Sequence, residues 1–233
     1  MCSSELALVF PGQGAHDVHM LERAADCPGF AERYGLICDL LGRSPLDEWR
    51  RGNTDSVNLN RVSSLLTVLV SSLYLDAFRE RHGRSDAPLA GYSVGQWTAL
   101  YAAGCISFAR LAEIVHRRAL MMDACFDNDA GAMLAVIGLA EDRVEQCCAE
   151  IRSGGLFAAI SNHNCAGQFS VAGTRAAMDR LERRFEQLDA KIIVRLPVSG
   201  AWHCALLESA AAALGDYLGD VSFTAARVPV VDN

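Results

Sequence analysis

The sequence predicts an α/β protein in two parts, a strand-and-helix core interrupted by a compact unit of order βαββαβ. Three observations carry that reading. Short apolar runs at 6–10 and 88–92 each end in a glycine-containing turn and lead into helical patterns. Residues 132–196 have a rhythm of their own: strand, helix, strand, strand, helix, strand. With 233 residues, 51% apolar and 21% charged, the chain is long enough for one large domain or a core with an inserted subdomain.

Taken in order, the first strand at 6–10 stops at Pro11-Gly12-Gln13-Gly14, residues that either fix or free the backbone. Helical spacing follows at 29–41 and again at 61–82, where Val62, Leu65, Leu66, Leu69, Leu73 and Phe78 recur on one side and Gly83 supplies the stop. The run at 88–92 reads as a buried strand that breaks at Ser93 into a helix over 96–103, halted by Gly104. A further helix is expected over 108–125. The inserted unit reads as strand 132–137, helix 141–152, strands 156–160 and 168–172, helix 174–188 and strand 191–196, the order of a ferredoxin-like sheet covered by two helices. Asp127-Asn128-Asp129 and Pro197 are its candidate hinges. Beyond it come Trp202-His203, an Ala- and Leu-rich helix from 203 to about 218, and a last strand at 228–231.

Composition excludes several classes. A net charge of -7 with no basic run argues against a nucleic-acid or membrane surface. The longest apolar stretch is interrupted by Ser, Thr and Tyr, so no transmembrane helix is expected, and the N-terminus shows no signal peptide. The nine cysteines are scattered without a CxxC pair, which fits reduced core residues in a cytoplasmic protein and neither a disulfide framework nor a metal site. Cys204, next to His203, is the one candidate reactive thiol.

Gly91-x-Ser93-x-Gly95 between a strand and a helix has the form of a nucleophile elbow. A side chain at either flanking position would crowd the turn that lifts the serine hydroxyl into the open. The helix that follows would aim its N-terminal N–H groups at a developing oxyanion. A serine nucleophile needs a base. His82 sits at a polar helix end, His116 beside two arginines reads as a surface residue, and His16, His19 and His163 lie in loops or near helix starts. His203 differs: it follows a strand, a Pro197-x-Ser199-Gly200 loop and an aromatic residue, at the start of a helix. No acidic residue stands out as a third member, and a backbone carbonyl can orient an imidazole in its place.

Five segments then fall into one pattern. Phe10-Pro11-Gly12-Gln13-Gly14, Gly91-Tyr92-Ser93-Val94-Gly95-Gln96, Arg118 with Met122, Asn162-x-Asn164-x-x-Gly167-Gln168, and Val198-Ser199-Gly200-Ala201-Trp202-His203 stand in the order seen in malonyl-CoA:acyl carrier protein transacylases. The chain resembles that family from residue 6 to its end. The resemblance implies an α/β-hydrolase-like core at 1–129 and 197–233 with the ferredoxin-like βαββαβ subdomain inserted at 130–196. It implies Ser93 as nucleophile, His203 as base, the backbone N–H groups of Gln13 and Val94 as oxyanion hole, and Arg118 as the grip on the malonyl carboxylate. Trp202, Met122 and Asn162 would line the substrate site. A guanidinium recognises a carboxylate through two parallel hydrogen bonds and rejects a plain acyl chain that leaves its charge unpaired. Trp202 resembles the bulky aromatic of relatives that choose unbranched malonyl over methylmalonyl; its alternative role is packing between the subdomains.

Gln96, Tyr92 and Ala166 depart from the glutamate, histidine and proline common in the family, and the glutamine whose carbonyl orients the histidine there would lie beyond Asn233, so the chain is expected to be C-terminally shortened. The resemblance further implies malonyl-CoA as substrate, an acyl carrier protein as partner, no bound cofactor or metal, and a monomeric cytoplasmic enzyme of fatty-acid or polyketide synthesis. Transfer between carrier proteins, and a malonate decarboxylase transferase, share the motifs. A serine hydrolase on the same elbow, and a non-catalytic carrier-protein-binding fragment, are the readings from other classes.

Overall fold

The computed structural model describes residues 6–14, 19–53, 58–83, 86–126 and 131–232. The expectations at His16, Asp127-Asn128-Asp129 and Asn233 lie outside the described residues. The chain is an α/β protein whose contacts divide it into two compact units, one of residues 1–120 with 218–233, the other of residues 121–217.

The first unit is built on three short parallel strands, β1 (Leu8–Phe10), β2 (Leu89–Gly91) and β7 (Val230–Val231), in the order β1-β2-β7. The register pairs Phe10 with Gly91 and Ala90 with Val231. The turns that leave β1 and β2 therefore emerge side by side at the carboxyl edge of the sheet, where open α/β sheets place their sites. Around the strands lie α1 (Met20–Ala24), α2 (Phe30–Leu41), α3 (Pro45–Arg50), α4 (Asn60–His82), α5 (Gly95–Ala102) and the first part of α6 (Phe108–Asp123).

Most of α4 is buried, from Val62 to Leu75. By length and composition it could cross a membrane, but 67% of its most apolar window is buried inside this chain, as in a core helix. Arg33 of α2 staples this unit. It pairs with Asp76, donates to Ser72 Oγ at 2.9 Å and to Tyr101 Oη at 3.1 Å, and lies 4.9 Å from the Phe108 ring centroid. One cation thus joins α2, α4, α5 and α6.

In the second unit, β3 (Gly131–Ile137), β4 (Ala158–Cys165), β5 (Gln168–Thr174) and β6 (Ile192–Arg195) form an antiparallel sheet of order β4-β5-β3-β6. Helices α7 (Glu141–Ser153) and α8 (Arg175–Gln187) bury Val144, Cys147, Cys148, Ala177, Met178, Leu181 and Phe185 against Leu134, Val136, Phe169 and Val171. Thr174 caps α8 by accepting from the Ala177 N–H at 3.3 Å.

Four local expectations are corrected. The strand placed at 156–160 runs instead over Ala158–Cys165, because pairing with β5 carries Asn162 and His163 into the ladder despite their low strand preference; register shifts at Ile160/Asn162 and His163/Cys165, the second passing over Asn164, absorb the misfit. The helix expected from 203 begins only at Glu208 as α9 (Glu208–Gly219), after a 3-10 turn at Ala205–Leu207, since His203 has a positive φ. His116 is half-buried and not a fully exposed residue: its Nδ1 is enclosed without a partner among the described residues, and burial, then Arg61 and Arg117, hold its pKa down. Cys204, the candidate reactive thiol, is half-buried, which disfavours its thiolate form. Its Sγ donates to the Ala201 carbonyl at 3.3 Å, and burial pushes its pKa up, which keeps the thiol protonated.

Candidate active site

Ser93 has φ 53°, in the left-handed region that costs a residue with a Cβ about 1–2 kcal/mol. Local bonds enforce it. Tyr92 donates its N–H to the Phe10 carbonyl at 3.0 Å, Gly95 donates to Tyr92 O at 2.9 Å, and Gln96 donates to Ser93 O at 3.0 Å, so the chain turns from β2 into α5 within four residues. Both flanking glycines are required. A Cβ on Gly91 would overlap the Gly95 carbonyl and the Gln96 N–H, and one on Gly95 would overlap the Phe10 carbonyl. The resulting turn sets a half-buried Ser93 beside the N-terminus of α5, with Val94 as its N-cap. The α5 N-terminus carries a partial positive charge.

The parallel pairing of Phe10 with Gly91 brings the Pro11–Gly14 turn to this elbow. A Cβ on Gly12 would lie 2.7 Å from Tyr92 O and 3.4 Å from Ser93 Cβ. Next to Gly12, the Gln13 amide donates from Nε2 to Asn60 Oδ1 and Ser63 Oγ, each at 2.8 Å, and to Asn60 O at 3.3 Å. Asn60 Nδ2 donates in turn to the carbonyl of Ala119, the residue after Arg118. Arg118 itself has Nη1 enclosed without a hydrogen-bond partner among the described residues, and burial lowers its pKa to about 10. Arg117 beside it is exposed and pairs with Glu113.

The first unit thus gathers four of the sequence-derived site residues, Gln13, Ser93, Val94 and Arg118. The other four belong to the second unit. His203 is exposed and has φ 57°; with Ser93 and Asp189 it makes the three non-glycine residues of positive φ among those described. Strain of this kind concentrates at functional positions. Trp202 is buried in a core cluster with Met122, Met133, Ala172, Ala201 and Ala210, and its ring meets Phe126 edge-on at 5.5 Å. A Cβ on Gly200 would strike that indole. Trp202 Nε1 has no hydrogen-bond partner among the described residues. Asn162 is half-buried in β4, its Oδ1 accepting from Ser161 Oγ at 3.2 Å.

Asn60 and Ser63 were not singled out by any motif. The signal that marks them is a polar stripe, Asn60, Ser63, Ser64 and Thr67, at the i, i+3, i+4, i+7 spacing on an otherwise apolar helix.

No protein-family model matches the chain. The malonyl CoA-acyl carrier protein transacylase of Escherichia coli is 32% identical over 231 residues, 99% of this chain and 74% of that protein. The enzyme of the same name from Staphylococcus aureus is 30% identical over 244 residues, with the same two shares. Among solved structures, the malonyl-CoA:acyl carrier protein transacylase of Xanthomonas oryzae pv. oryzae matches with a TM-score of 0.89 and 31% identity, covering 100% of this chain and 74% of that one. A structure of a type II PKS acyl-carrier protein in complex with its malonyl-transacylase matches at 0.88 with 30% identity, covering 99% and 74%. Motifs, elbow geometry and overall likeness agree, and the chain belongs to the malonyl-CoA:acyl carrier protein transacylases, a family of acyltransferases.

Proposed function

We propose that this chain moves a malonyl group from its coenzyme A thioester to the phosphopantetheine thiol of an acyl carrier protein, with Ser93 carrying the acyl group between them. The observation that carries the malonyl assignment is Arg118. Its buried guanidinium has an Nη1 with no partner among the described residues, and an uncompensated buried cation is costly unless an anion meets it. The free carboxylate of a malonyl thioester supplies that anion; an acetyl group does not.

In the first half-reaction His203 takes the Ser93 proton as Oγ attacks the thioester carbonyl. The oxyanion is held by the backbone N–H groups of Gln13 and Val94, and coenzyme A leaves as its thiol after reprotonation. In the second, the carrier-protein thiol attacks the malonyl-serine, His203 works in reverse, and Ser93 is regenerated. Elbow strain, the positive end of α5 and the nearby Pro11–Gly14 turn support Ser93 and the two N–H donors. The roles of His203, Met122, Trp202 and Asn162 rest on the family pattern. Trp202, as a bulky wall, would disfavour a branched methylmalonyl unit. The chemistry requires no resident metal or redox cofactor.

The architecture fits the same reading. The β4-β5-β3-β6 sheet with α7 and α8 supports a ferredoxin-like subdomain at 130–196, inserted in a hydrolase-like core at 1–129 and 197–233. A monomer working in the cytoplasm is the proposed state, and fatty-acid and polyketide synthesis are the pathways such an enzyme serves. Competition of malonyl-, methylmalonyl- and acetyl-CoA for Ser93 labelling tests the assignment. Preference for malonyl that disappears in Arg118→Ala supports it, and equal labelling by acetyl-CoA in the unsubstituted chain refutes it.

A further inference from the structure

The polar stripe on α4 has no part in the chemistry above, yet it is among the most buried polar groupings of the first unit. Asn60, Ser63, Ser64 and Thr67 are 1%, 1%, 0% and 4% exposed. Most of their bonds stay within the helix: Thr67 Oγ1 donates to Ser63 O at 2.7 Å, Ser64 Oγ to Asn60 Oδ1 at 3.2 Å, and Ser63 Oγ to Leu59 O at 3.1 Å. Among the four, and among the described residues, only Asn60 is bonded both to the Gln13 turn and to α6. Its Oδ1 accepts from Gln13 Nε2 at 2.8 Å, and its Nδ2 donates to Ala119 O at 3.2 Å.

Each end of this bridge has something to hold. Gln13 sits between Gly12 and Gly14, the latter at φ 93°, so its backbone has little stiffness of its own. With the side-chain amide fixed to Asn60 and Ser63, the orientation of the Gln13 peptide is set from the helix. At the other end, Ala119 is fixed one residue from an arginine whose buried charge favours any movement that would return it to water. A buried amide bonded on both sides opposes that movement, because a hydrogen bond lost on either side of it is lost away from solvent.

We propose that Asn60 is a positioning residue for acyl transfer, holding the Gln13 loop and the Arg118 turn of α6 in one register. The proposal rests on the roles given above to Gln13 and Arg118. Displacing a catalytic donor by about 1 Å costs on the order of 100-fold in rate. Asn60→Ala is therefore expected to slow Ser93 acylation by malonyl-CoA about 10- to 100-fold, with a reduced preference for malonyl over acetyl, in protein whose circular dichroism is unchanged.

The test is single-turnover labelling of Ser93 from malonyl- and acetyl-CoA, followed by intact mass, with the full chain and its Asn60→Ala, Gln13→Ala and double variants. If the two residues act through one restraint, the double variant acylates within about twofold of the slower single variant. Rates that multiply across the two substitutions overturn the proposal. So does an Asn60→Ala protein with a lowered thermal midpoint but an unchanged acylation rate and preference, the pattern of a purely structural residue. Should Asn60→Ala not fold, Ser63→Ala, which removes another acceptor of Gln13, is expected to slow acylation in the same direction by about 3- to 10-fold, and a normal rate overturns the proposal. Absence of label on Ser93 in the unsubstituted chain overturns the active-site reading as well, and is told apart because it precedes any substitution at Asn60.

Discussion

The α-carbon of Gly95 lies against the carbonyl of Phe10 with no space for a Cβ between them. The elbow and the end of β1 are packed backbone to backbone, which brings the Gln13 loop to Ser93. Gly95→Ala must force β1 and α5 apart, and no flexible side chain is there to yield. The expected loss is about 3 kcal/mol or more, seen as a lower thermal midpoint together with loss of acyl transfer. A Gly95→Ala protein of normal stability and activity would contradict this packing.

Ser93 holds a left-handed conformation that a Cβ makes costly. Ser93→Ala keeps the Cβ and Ser93→Gly removes it. Both are expected to abolish transfer, but the glycine variant should be the more stable by about 0.5–1 kcal/mol, after allowance for its greater unfolded-state freedom. Paired thermal or denaturant unfolding of the two variants measures the difference.

Arg118 should show opposite effects on stability and function. Arg118→Met replaces a guanidinium whose enclosed Nη1 has no partner among the described residues with an apolar chain of similar length. The thermal midpoint is expected to rise while kcat/KM for malonyl-CoA falls about 100-fold, the worth of a charge-assisted pair. Activity toward acetyl-CoA should be retained. Calorimetry and steady-state kinetics on the two substrates check both halves.

His116 sets a pH dependence of stability. Its folded pKa lies below the ordinary value of 6.5, chiefly through burial, with Arg61 and Arg117 adding to it. Between that depressed value and 6.5 the unfolded chain binds the proton and the folded chain does not, so stability falls as pH falls through this window. Above 6.5 both states are neutral and the effect vanishes. His116→Gln is expected to flatten the drop in thermal midpoint between pH 7.5 and 5.5 relative to the unsubstituted chain.

What the sequence revealed follows the range of the forces involved. The elbow was legible because Gly91 is demanded by Gly95 and Gln96 close by in the chain, although Gly95 itself answers to Phe10 and Pro11 far from it in sequence; the βαββαβ unit was legible because α7 and α8 alternate with apolar strands at clear periods. The short helices α1 and α3 escaped notice, being five and six residues long, although Ser44 before Pro45 is a good helix start. The length of β4 was hidden because its polar half is held by β5 and not by its own residues. Asn60 was missed for a related reason. Its partners, Gln13 and Ala119, lie 47 and 59 residues away, and only the polar stripe on an apolar helix betrays it.

The central claim is that Ser93 carries a malonyl group. Intact-mass and peptide mapping after brief exposure to malonyl-CoA test it directly. The expected result is a single malonyl adduct on Ser93, absent in Ser93→Ala and discharged by an acyl carrier protein bearing phosphopantetheine. Release of free malonate with no adduct, or an adduct that persists in Ser93→Ala, would contradict it.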